Sequence, residues 1–456
     1  MFSEKRFSQH ELGIASLFLL FTLSFLLGGC DAQEIGTAVS EPADEPVTIR
    51  YVAPGRPIWS VPEDAAIERF HEQMPDIVID RQPQKRRFSH YLSESPPPDV
   101  FFGAEGHEFR QAAQQNLLFD LSDIWVDNNL AEAYGRQFGE VGRIDGTFRL
   151  VPVGFFWTGI FYNKEVFERY DLVPPATWEE FVTICETLLA NGETPLSIAG
   201  RGTYHSYLWF SYLNMRLNGP SFHRRLIEGQ ESYTDERVAL VWESWISLFQ
   251  RGYFIERPNV TSESGSIKAL VPGEEDSPLT AKEAVMTLTP HFSLHYLSPE
   301  SASELDFFQF PQMDPDTSVG EIATVFGYVI PAEAAHRPEA SAFVGYMASA
   351  EAQATQMARI VEDPAIVGFI PLHRDVDRAL LPVAARKAEE LVRGADEVLP
   401  PLALALPRSM QAGFTTVFDG IYKQLNSPET EIDVSEIQST LEEARQQALE
   451  RGDYRQ

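Results

Sequence analysis

Residues Gly159 to Phe181 read GIFYNKEVFERYDLVPPATWEEF, and the punctuation of this stretch decides how the chain around it is built. An apolar segment runs into Tyr162-Asn163-Lys164, a short amphipathic piece follows, and Pro174-Pro175 breaks it. Thr177 then stands three residues ahead of Glu180 and before an apolar-periodic run. That spacing is a capping box, in which the Thr oxygen and the Glu carboxylate each satisfy an orphan N–H, so a helix is predicted from Trp178. The connection is rich in turn chemistry and carries no recognisable catalytic group.

Upstream, Lys5 and Arg6 precede an apolar run from Ile14 to Leu27 that ends at Leu27-Gly28-Gly29-Cys30. A basic start, an apolar middle and a small-residue end make a secretory signal. The run is shorter than the roughly 20 residues that span a bilayer. The final tetrad resembles the lipobox of bacterial lipoproteins, which implies a signal peptide over residues 1–29 and a diacylglyceryl group on the Cys30 sulfur. Asp31 to Pro46 is small, acidic and proline-containing, so residues 30–46 read as a flexible tether. Cys185 is the one other cysteine. With Cys30 lipidated, no internal disulfide is available, and packing must supply the stability.

The formal net charge is −31. A surface this acidic repels phosphate backbones, which excludes nucleic acid as the expected partner. From Val47 onward strand and helix signals alternate. Val47–Val52 alternates as a strand, Pro54–Pro57 is a loop, and Pro62–Gln73 is helical. Ile77–Ile79 and Pro98–Phe102 are strands, and Leu117–Leu121 continues the alternation. The pattern predicts an α/β protein with a mainly parallel, doubly wound sheet. Ligands of such sheets sit beyond the carboxyl ends of the strands, which singles out Gly103-Ala104-Glu105-Gly106-His107. Asp145-Gly146 is a hairpin turn. Later segments predict a helix over Val238–Gln250, strands at Ala284–Leu288 and Val325–Ile330, one helix over Ala340–Ala358, and a helical tail after Glu429.

In order, PDVFF (98–102), DGTFRLVPV (145–153), the stretch quoted above, EAVMTLTPHF (283–292), FGYVIPA (326–332), EASAFVGYMASAEAQ (339–353) and GFIPLHRDV (368–376) resemble the extracellular solute-binding proteins of ABC importers. Within them they resemble the carbohydrate-binding group that includes maltose-binding protein. The resemblance implies a two-lobe α/β clamshell with three hinge crossings, near Leu150–Val153, Ala323–Tyr328 and Phe369–Leu372. The N-terminal lobe would comprise residues 47–150 and 327–370, and the C-terminal lobe 151–326 and 371–456. The opening stretch is then scaffold beside a hinge: a strand carries the chain into the second lobe, and the capped helix is that lobe's first.

The resemblance further implies a monomer held at the outer face of the cytoplasmic membrane, closing on a mono- or oligosaccharide and delivering it to permease subunits. No cofactor is implied. Sugar recognition asks for flat rings against pyranose C–H faces and for polar side chains against hydroxyls. The family's ligand-facing positions hold Arg56, Trp59, Glu105, His107, Phe156, Trp157, Tyr204, His205, Trp209, His291, Phe292, Phe326 and Arg408. Trp178, Trp242 and Trp245 sit on helical patterns and are expected in the core. No G-x-S-x-G, H-E-x-x-H or Gly-rich phosphate loop occurs. His291 and His295 have helical spacing without a nearby carboxylate to complete a metal set. The alternative ligands on the same architecture are a polyamine, a glycerol-phosphate or ferric ion. The alternative activity is that of a secreted carbohydrate-active enzyme.

Overall fold

The computed structural model describes residues 45–271, 284–363, 367–425 and 432–454, and Glu45–Gln456 forms one compact unit. Cys30, the tether before residue 45 and the beginning of the tail at Glu429 lie outside these residues. No described helix is long and apolar enough to cross a membrane.

Twelve strands occur among the described residues. They are β1 (Val47–Ala53), β2 (Ile77–Pro83), β3 (Val100–Ala104), β4 (Arg143–Ile144), β5 (Thr147–Phe148) and β6 (Val151–Asn163). β7 (Thr194–Ser197), β8 (Ala284–Pro290), β9 (Leu305–Phe308), β10 (Gly320–Val329), β11 (Ile370–Pro371) and β12 (Glu397–Leu399) follow. The main sheet runs β2-β1-β3-β10-β6-β8-β7, with β9 and β11 also on β6 and β12 on β10. β4 and β5 close the Asp145-Gly146 hairpin.

The sheet is mixed, which corrects the mainly parallel expectation. β1/β2, β1/β3, β7/β8 and β10/β12 are parallel. Every pair that joins β6 or β10 to β3, β8, β9, β11 or each other is antiparallel. A chain that leaves on β6 and returns on β10 reverses direction. Local alternation of strand and helix carries no trace of that return.

β6 is the spine. All 13 of its residues are buried, and at about 3.3 Å per residue such a strand reaches roughly 43 Å. A continuous apolar run of this kind needs cover on both faces. Its first half pairs with β10 and β11, its second half with β8 and β9. The three crossing segments thus lie side by side. Gly154 is opposite Pro371 and Phe326, Gly327 is opposite Pro152, and the register shifts between Phe326 and Gly327, leaving Val153 as an extra residue on β6.

Two large hydrophobic clusters flank the spine. One is built on Tyr51, Phe70, Val100, Phe102, Tyr328 and Phe343 and continues across Phe155 and Trp157. The other is built on Trp209, Trp242, Trp245, Phe414 and Phe418. Trp242 and Trp245 are fully buried there, and Trp178 packs against the same cluster. The capped helix runs Trp178–Ala190 as expected. Thr177 Oγ1 accepts the Glu180 N–H at 3.3 Å, and Glu180 Oε2 accepts the Thr177 N–H at 3.0 Å.

Three local expectations change. The first helix begins at Pro57 rather than Pro62. Proline is favoured at a first helical position because its missing N–H is unneeded there. Leu117–Leu121 forms a single bridge, Leu118 to Pro331, before Asp120 accepts the Ser122 N–H and the chain turns helical. The Ala340–Ala358 pattern is two helices, Arg337–Ala348 and Ala350–Glu362, because Ser349 turns extended and its Oγ caps the Ala352 N–H at 3.2 Å.

Candidate ligand-binding cleft

The early start of the Pro57–Gln73 helix places Trp59 in its first turn, over the crossing strands. Its ring lies 4.8 Å from Phe156 of β6, 4.6 Å from Phe326 of β10 and 5.7 Å from Phe102 of β3. Phe292 and His291, just after β8, stand 5.2 and 5.1 Å from Phe156. Phe156 and Phe326 are buried, whereas Trp59, His291 and Phe292 keep part of their surface. The group is an aromatic floor with an open side. His291 also fastens two crossings. Its Nδ1 accepts the Trp157 N–H at 3.1 Å, which leaves Nε2–H to donate to the Gly368 carbonyl at 2.9 Å. It sits in a 3-10 turn, His291–Tyr296, rather than on an α-helix face with His295.

A polar chain runs beside this floor. The Ala199 N–H donates to His205 Nδ1 at 3.1 Å, so the neutral ring carries its proton on Nε2 and faces Thr289 Oγ1 at 3.2 Å. Burial pushes the His205 pKa down to about 4, which keeps the ring neutral. Thr289 and Ser293 hydroxyls meet at 2.7 Å. Ser293 then donates to Glu263 Oε1, and Tyr296 donates to Glu263 Oε2, each at 3.2 Å. Burial first, and then the Glu263 charge, raise the Tyr296 pKa, while exposed Arg56 lies close enough to lower it. Tyr204 opens the Tyr204–Asn218 helix, and its phenol pKa is raised by burial against a counteracting hydrogen bond with Thr324.

The carboxyl end of β3 opens on a cavity of ≈ 620 Å³ between Gln84–Arg87, Gly103–Phe109 and the Ala403–Gln411 segment. Glu105 pairs with Arg110 at 2.8 Å, and Arg408 binds Glu108 across 300 residues of sequence. That segment also packs on Gly106, where a Cβ would meet the Leu404 carbonyl oxygen at 2.7 Å. Burial, and then the Arg110 charge, lower the His107 pKa. The cavity opens on the Phe101 and Val329 face of the sheet and the aromatic floor on the Phe102 and Phe326 face, with Ala104, which lines the cavity and is opposite Phe326, as the link between them. Among the described residues no group of three His, Cys, Asp or Glu could hold a metal ion.

A family model described as bacterial extracellular solute-binding protein matches residues 85–354. The chain belongs to that family. An ABC transporter extracellular-binding protein of Pyrococcus horikoshii is 23% identical over 394 residues, 81% of this chain and 82% of the relative. The multiple sugar-binding protein of Streptococcus mutans is 23% identical over 354 residues, 75% of this chain and 78% of its own length. Among solved structures, the bacterial solute receptor AcbH, described as preferring β-D-galactopyranose, superposes with a TM-score of 0.73 at 21% identity, covering 89% of this chain and 98% of its own. This likeness establishes the two-lobe solute-binding fold. The protein is therefore an ABC substrate-binding protein that works outside the cytoplasm.

In this solute-binding protein Arg56, Trp59, Phe156, Tyr204, His291, Phe292 and Phe326 gather around the aromatic floor, and Glu105, His107 and Arg408 line the adjoining cavity. Three expected ligand residues stand apart. Trp209 is fully buried in the second core, edge-on to Phe254 and Phe310 at 5.4 and 5.6 Å. Trp157 alternates to the other side of β6 from Phe156, packs 4.1 Å from Phe307 and is fully buried. His205 is buried and reaches the cleft only through Thr289, Ser293 and Glu263. Sequence reasoning missed Glu263, Ser293 and Tyr296, which carry no motif. It also missed Lys85-Arg86-Arg87, whose signal was available as the chain's one run of three Lys or Arg residues.

Proposed function

We propose that this solute-binding protein captures a carbohydrate between its lobes and hands it to a membrane permease, held at the membrane by lipid on Cys30. The reading rests on one observation above all. The partly open ring of Trp59 lies on an aromatic floor, with Arg56, Tyr296 and Glu263 grouped beside it. A pyranose offers apolar C–H faces to such a ring and hydroxyls to such polar groups. A wrong sugar that leaves a buried polar group unpaired loses about 1–3 kcal/mol, so the polar edge would set specificity. The lobes would be 47–150 with 327–370 and 151–326 with 371–456, moving about the three crossings.

The test is a thermal-shift screen of the protein against mono- and oligosaccharides, with spermidine, glycerol-3-phosphate and ferric citrate alongside. A ligand at a hundred times its dissociation constant adds about 2.7 kcal/mol, a visible shift. A shift with a sugar and no new product supports the reading. A shift only with the amine, phosphate or iron compound rejects it, and product formation makes the protein an enzyme. The anchor has its own test: Cys30→Ala should move the protein from the membrane fraction to the soluble one, and unchanged fractionation counts against lipidation.

A further inference from the structure

The cavity at the end of β3 carries charge that a neutral sugar does not use. The chain has 36 Lys and Arg against 67 Asp and Glu, yet its one run of three Lys or Arg residues, Lys85-Arg86-Arg87, lies on this wall. The acids of the same wall already have partners, Glu105 with Arg110 and Glu108 with Arg408. Arg86 stands 4.0 Å from Glu94, which also holds Arg50. Lys85 and Arg87 have no ion-pair partner among the described residues and project at the cavity rim. Both line a recess of ≈ 620 Å³ that reaches Ala104 of β3, the residue opposite Phe326 of the aromatic floor.

Such cations are usually solvated surface. Their position argues otherwise. The net charge of −31 repels any anion at long range, but at physiological salt that repulsion is screened over about 8 Å. An anionic ligand therefore has to be held by cations at contact distance. Closure would draw Lys85 and Arg87 into a drier space, where a charge pair gains strength. An arginine fork suits the two oxygens of a carboxylate, sulfate or phosphate.

We propose that the ligand is an acidic saccharide: a sugar whose carboxylate, sulfate or phosphate group is bound by Lys85 and Arg87 in the cavity at the end of β3, while its ring lies on the Trp59 floor. This rests on the carbohydrate reading above and narrows it to a substrate class.

Isothermal titration of the full chain in detergent tests it, using uronate, sulfated and phosphorylated sugars, their neutral counterparts, and inorganic sulfate and phosphate. At least one acidic sugar should bind about 10-fold or more tighter than its neutral counterpart. That preference should shrink at high salt and disappear in the Lys85→Gln/Arg87→Gln protein. Both side chains are exposed, so the thermal midpoint of the unliganded variant should stay unchanged and keep the comparison interpretable. Neutral sugars binding equally well, with affinity unaffected by the double substitution, would overturn the acidic-sugar proposal and leave the carbohydrate reading standing. Binding of inorganic anions alone, with no sugar bound, would reject both. No acidic sugar binding at all would overturn the proposal outright.

Discussion

A tryptophan's chemistry does not tell whether it faces a ligand or a core, and this chain shows both outcomes. Trp59, Trp157 and Trp209 all stand at positions that the family resemblance marks as ligand-facing. Only Trp59 keeps surface at the cleft. The strand period places Phe156 and Trp157 on opposite faces of β6, so at most one of the two can face a given side. Trp209→Ala should cost about 3–5 kcal/mol, the range for emptying a core aromatic site, read as a lowered denaturation midpoint. A midpoint near wild type would return Trp209 to the cleft. Burial holds His205 to a pKa of about 4 and His223 to about 3, both below the free value. Each is neutral when folded and protonates more readily when unfolded. Their contribution to stability is therefore whole above about pH 6.5, and it declines as the pH falls through the window down to their folded values. Denaturant titrations across that range should give stability rising with pH, and His205→Gln should flatten part of the slope. An unchanged slope would mean that the ring is not buried as neutral imidazole.

Elements were legible where one local device fixes them. The Thr177–Glu180 box fixed a helix start to the residue, and Asp145-Gly146 fixed a hairpin. They were illegible where partners lie far apart in sequence. Nothing in Val151–Asn163 announces that it pairs antiparallel with a strand nearly 170 positions later, so the sheet's mixed character had to come from tertiary pairing. Ser349 breaks an otherwise continuous apolar pattern by capping, a signal that periodicity overrides on paper. At the crossings, glycine is needed for close approach. A Cβ on Gly327 would meet the Val151 carbonyl oxygen at 2.2 Å, and one on Gly154 would meet the Phe369 ring at 2.1 Å. The first obstacle is backbone, whereas the second is a side chain. Gly327→Ala should thus destabilise more than Gly154→Ala, with at least about 1–3 kcal/mol lost as in overpacked sites. Equal effects would show that β6 and β10 separate easily there.

At the scale of the whole molecule, the resemblance named the fold because its motifs recur in order from residue 98 to residue 376, although no single one is specific. The cleft was half legible. Glu105 and His107, singled out because they follow a strand end, line the cavity at that end. Glu263, Ser293 and Tyr296 join it only because the Glu263–Lys268 helix folds against the turn after β8. The buried pair Arg216–Glu321, at 2.6 Å, ties the Tyr204–Asn218 helix to β10 and makes the second core and the spine one structure. Arg216→Met alone should cost about 3–5 kcal/mol by stranding the Glu321 charge, and adding Glu321→Leu should recover much of that loss. A double variant as unstable as the single one would show that hydrogen bonds to the pair, rather than the stranded charge, carry the effect.

The central claim is that a sugar ring lies on Trp59, and one titration addresses it most directly. The sugar giving the largest thermal shift should be titrated calorimetrically into wild-type and Trp59→Ala protein. One-to-one binding weakened by roughly 1–3 kcal/mol in the variant, with its fold intact, is the result expected from losing an aromatic contact and its buried area. Equal affinity in the two proteins would contradict the claim and move the ligand away from the aromatic floor.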